Sequence, residues 1–125
     1  MNHYKTLCLL SLMLLNTSVW AYGSSSSSKA CEKPRFTEFT PADKTTVAAQ
    51  SAFSFEASSI TNPKSIVVTI KQEPVTISVT PKNVGYLVQG KLPVSIKNTA
   101  ARVTISAESP SGCKASDGWL VNVTE

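Results

Sequence analysis

The residues able to do chemistry in this chain are few, and their positions narrow the choice quickly. The sole histidine is His3, the methionines are Met1 and Met13, and the cysteines are Cys8, Cys31 and Cys113. Ser-His-Asp and Cys-His catalysis each need a base beside the nucleophile, and no histidine follows residue 3. Soft copper and zinc sites need imidazole, thioether or free thiolate. Carboxylate pairs could still hydrolyse glycosides. The eight acids, Glu32, Glu38, Asp43, Glu56, Glu73, Glu108, Asp117 and Glu125, are instead scattered singly, as on a solvated surface. The stretch Ser116 to Gly118 ("SDG") falls short of the clustered oxygens of a calcium loop and reads as a turn. No glycine-rich phosphate loop is present. The chain is expected to be no enzyme, to use no cofactor and to hold no metal.

Those rare residues gather at the amino end. "MNHYK" is a short polar start, Leu7 to Leu15 is apolar apart from Ser11, and Val19 and Ala21 suit a signal peptidase. The apolar run is too short for a bilayer of ~30 Å. Residues 1–21 are therefore read as a leader, with cleavage after Ala21 removing His3, both methionines and Cys8. The 104 residues that remain suffice for one domain. Their net charge is +3 once Lys5 has left. No basic run is interleaved with aromatics, so nucleic acid is not an expected partner. The exported chain is expected in the periplasm or outside the cell, without a membrane span. Residues 22–30, "YGSSSSSKA", can bury nothing and read as a flexible tether.

From Cys31 the texture changes to short alternating runs. "AFSFEA" places Phe53, Phe55 and Ala57 on one side, a period of two that marks a half-buried strand. "SIVVTI" follows a break at Pro63, and "VTISVT" sets Val75, Ile77 and Val79 inward; the two runs are expected to form a hairpin. "YLVQ" extends to Gly90. Leu92 and Ile96 are expected to plug the core from an irregular stretch. "ARVTISAE" alternates through Ala101, Val103, Ile105 and Ala107, and "GWLVNVT" is the last strand, with Trp119 as core filler. About seven strands with no helical period predict an all-β fold, a single antiparallel immunoglobulin-like sandwich over residues 31–125.

Cys31 and Cys113, an exported pair without CxxC spacing, are expected to form a disulfide. It ties the start of the first strand to the link between the last two. Gly112 and Gly118 free the backbone around Cys113 to reach its partner.

"FTPADKTTV", "NPKSIVVTIKQEPVTISV" and "NTAARVTISAESPSGC" resemble the opening, the central strands and the penultimate strand of bacterial immunoglobulin-like domains. The resemblance covers Arg35 to Val123 and implies the sandwich. Ala101 stands where fibronectin-type relatives tend to carry a corner tyrosine, so receptor-like roles are not implied. Periplasmic copper-resistance proteins share that fold and the proline-containing opening, and this chain resembles them in scaffold. The leading functional expectation is a non-enzymatic accessory module of the bacterial envelope that binds a protein or glycan partner. The alternative is a small periplasmic metal-handling protein of the copper-resistance kind, or an enzyme acting with carboxylates. Residues expected to meet a partner lie in two loops: Lys82, Asn83 and Tyr86 in "PKNVGY", and Gln89 and Lys91 in "QGKLP".

Overall fold

A computed structural model describes residues 31–125. The leader and tether expected over residues 1–30 lie outside the described residues. Nine strands form two stacked sheets. The first sheet runs β1 (Phe36–Thr40), β3 (Ala52–Ala57), β7 (Tyr86–Lys91), β6 (Ile77–Pro81). The second runs β2 (Thr45–Val47), β9 (Lys114–Val123), β8 (Thr99–Glu108), β4 (Val67–Ile70), β5 (Glu73–Pro74). All pairings are antiparallel except β2 with β9, where Thr45, Thr46 and Val47 run parallel to Val121, Asn122 and Val123. The protein is an all-β immunoglobulin-like sandwich.

Alternation sets which face is buried. Phe53, Phe55 and Ala57 of β3 face Val68 and Ile70 of β4, Ala101, Val103, Ile105 and Ala107 of β8, and Trp119, Val121 and Val123 of β9. Leu92 and Ile96 close the core from the irregular stretch between β7 and β8. Trp119 is 2% exposed. Phe39 stacks on it at 4.9 Å, and Phe53 and Phe55 meet it edge-on at 6.1 Å each. The four rings make the aromatic centre of the sandwich, where such contacts add about 0.5–1.5 kcal/mol per pair beyond area burial.

Two readings of the chain need correction. The expected hairpin between "SIVVTI" and "VTISVT" does not form. β4 turns through Lys71 and Gln72, both with positive φ (50° and 67°), into the two-residue β5. The last link of that turn is the bond from Val75 N to Val68 O. The chain then crosses to the other sheet, where β6 pairs with β7. There Ile77 and Val79, partly buried, pack against the core. The "SDG" stretch is no turn either: Ser116, Asp117 and Gly118 lie within β9 opposite Ser106, Ile105 and Thr104. Gly118 is there for close approach, since a Cβ would collide with the Val103 carbonyl oxygen.

One short 3-10 turn, Pro63–Ser65, is capped by Asn62, whose side chain accepts from Lys64 N. Ser65 Oγ donates to Asn62 O at 2.7 Å and accepts from Glu108 N at 2.9 Å, tying this turn to the end of β8.

Candidate functional site

The expected partner-facing residues fall at opposite ends of one hairpin. Lys82 and Asn83 sit in the turn between β6 and β7, closed by Lys82 N to Gly85 O at 2.9 Å. Gly85 has φ +82°, and a Cβ there would strike the Ala57 carbonyl oxygen, so glycine is required. Lys82 Nζ pairs with Glu56 Oε2 at 2.6 Å across to β3. Both side chains are about a third exposed or more, so the pair adds at most about 1 kcal/mol. Tyr86 is half-buried, with its ring packed against the core.

Gln89 and Lys91 belong to β7 rather than to a loop. They line a shallow hollow with Ile77, Ser78 and Pro93, and are separated from Lys82 by the length of the strand. The structure thus does not bring the five residues together.

Besides Glu56, three carboxylates serve local structure. Asp43 Oδ1 accepts from Leu120 N at 2.9 Å, Asp117 Oδ1 from Gly118 N at 2.7 Å, and Glu73 Oε1 from Ser95 Oγ at 2.7 Å. Among the described residues no three of His, Cys, Asp and Glu lie close enough to hold a metal ion. Cys31 and Cys113 are joined in a disulfide with Cα atoms 5.8 Å apart, so neither offers a thiolate. Within residues 31–125 the donor set does not fit a soft-metal centre.

A second cluster was not legible as a site in the sequence. At the disulfide end, Lys33, Lys64 and Lys114 line one hollow with Glu108, Ser106 and the exposed Val67, bordered by Ala107 and Ala115. The three lysines are separated by 31 and 50 residues. The signal available in the sequence was their spacing from the cysteines: Lys33 stands two after Cys31, and Lys114 directly follows Cys113.

Neither a protein-family model nor a curated protein sequence matches the chain. Among solved structures it is similar to CopC from Methylosinus trichosporium OB3b, with a TM-score of 0.55 and 14% identity over 73% of this chain and 93% of that one. PcoC, a methionine-rich copper resistance protein from Escherichia coli, gives 0.52 and 19% identity over 74% of this chain and all of that one. The endo-beta-1,4-mannanase from Thermotoga petrophila gives 0.58 and 12% identity over 78% of this chain, which spans only 21% of the mannanase. These likenesses show the fold.

They also correct the leading functional expectation. A generic envelope module for a protein or glycan partner gives way to the metal-handling alternative, since CopC and PcoC are each matched over 93% or more of their own length.

Proposed function

We propose that the chain is a small exported metal-handling protein built on the copper-resistance scaffold, without catalytic activity of its own, and that it works in the periplasm or outside the cell. The observation that carries this reading is the end-to-end likeness to CopC and PcoC. The leader-like first 21 residues and the disulfide support export to an oxidising compartment. Among the described residues no helix is long and apolar enough to cross a membrane.

The donor chemistry then limits the cargo. PcoC is methionine-rich, whereas the methionines here are Met1 and Met13, both within the expected leader. Residues 31–125 offer carboxylate, hydroxyl and carbonyl oxygens, which suit hard and borderline divalent ions rather than Cu(I). Without a preformed cluster of three ligands, the ion is a weakly held cargo and no part of the folded core.

Equilibrium dialysis of the exported protein against Cu(II), Zn(II) and Cu(I), followed by metal analysis, tests this. The expected result is uptake of a divalent ion with micromolar or weaker affinity and no retention of Cu(I). No uptake of any divalent ion at millimolar concentration overturns the reading.

A further inference from the structure

We propose that the hollow at the disulfide end is a binding site for a phosphate-bearing anion. Its three cations arrive from separate parts of the chain: Lys33 from the arm before β1, Lys64 from the 3-10 turn, and Lys114 from the first position of β9. None of the three forms an ion pair among the described residues; the ion pair there is Lys82 with Glu56. Glu108, the hollow's one acid, offsets a single positive charge and leaves an excess of two. Residues 31–125 contain ten Lys and Arg against eight acids. The hollow thus holds an excess as large as that of the whole described chain.

Lysine chemistry narrows the ligand. An ammonium is a compact point charge that binds phosphate well, whereas planar carboxylates favour the two-pronged guanidinium. Of the nearby hydroxyls, Ser65 is committed to Asn62 O and Ser116 to Ile105 O, while Ser106 also lines the hollow and can donate beside the ammonium groups. Val67, half exposed, adds apolar area beside the charges. That combination suits a phosphate carried on a larger, partly apolar molecule such as a lipid headgroup as well as free phosphate.

The disulfide assembles the site. It fixes the arm bearing Lys33 to the strand start bearing Lys114, and the buried Pro34 seats the arm behind Lys33. Opening the bond should loosen the arm that bears Lys33, while Lys64 in the 3-10 turn and Lys114 on β9 keep their places.

The test uses the exported chain with two probes: inorganic pyrophosphate, followed by amide shifts in NMR, and vesicles of phosphatidylglycerol against phosphatidylcholine, followed by flotation. Binding to pyrophosphate alone assigns a free phosphate compound; binding to the anionic vesicles assigns a headgroup. Combined Lys33→Gln, Lys64→Gln and Lys114→Gln should weaken binding about tenfold or more with an unchanged melting temperature, since exposed lysines contribute little to stability. Removing the same charge at Lys44, Lys71 and Lys97 should leave it nearly intact. Paired Cys31→Ser and Cys113→Ser should lower affinity severalfold at a temperature where that variant stays folded. Equal loss in both lysine triples would reduce the effect to net charge and overturn the site, as would failure of both probes at physiological salt.

Discussion

Trp119 sits among Phe39, Phe53 and Phe55, and its Nε1 is buried with no hydrogen-bond partner among the described residues. An unpaired buried donor costs about 1–3 kcal/mol. Trp119→Phe removes that donor while it loses some ring volume, so the two effects offset; Trp119→Ala loses the whole ring and should cost about 3–5 kcal/mol. Chemical denaturation of both variants checks this, with the phenylalanine variant expected within about 1.5 kcal/mol of the parent protein. A loss in Trp119→Phe as large as in Trp119→Ala would mean the indole N–H has a partner. Gly118 presents the opposite case. Any side chain there must push the β8 backbone at Val103 away, and Gly118→Ala should cost more than 2 kcal/mol.

At the scale of elements, the β4–β5 turn carries its own strain. Lys71 and Gln72 both hold positive φ between paired Ile70 and Glu73, where glycine or asparagine is at ease. Gln72→Gly should therefore raise stability by about 0.5–1 kcal/mol in thermal unfolding, and a loss would place the strain elsewhere. The longer restraint is the disulfide. It closes a loop of sequence separation 82, for which chain entropy allows about 4.5 kcal/mol. Reduction should lower the denaturation midpoint by the equivalent of about 2–5 kcal/mol.

Over the whole molecule, what the sequence revealed depended on how local the cause was. The faces of β3, β4, β6 and β8 were legible because period-two burial is written residue by residue, as in Phe53, Phe55 and Ala57. Core plugs at Leu92 and Ile96 were legible as apolar residues of an irregular stretch, although Val94 between them is exposed. Sheet membership was not, because the crossing between β5 and β6 answers to a facing sheet that no local window contains. The parallel β2 is three residues of Thr-Thr-Val, too short to carry a period. For the candidate site, the five hairpin residues could be named but not placed. The lysine hollow needed three distant segments to meet.

The parallel pairing of β2 with residues 121–123 also bears on how the fold is reached. Thr124 N donates to Val47 O, and Asn98 N to Thr124 O, so this stretch is sewn between two earlier parts of the chain. Strand β9 carries Trp119 and joins β2 to β8. A nascent polypeptide delivered from its amino end therefore has the residues of β1 to β8 in hand while β2 still lacks its one strand partner. The second sheet should stay incomplete until residue 123 has emerged, so that folding waits on the last strand of the chain.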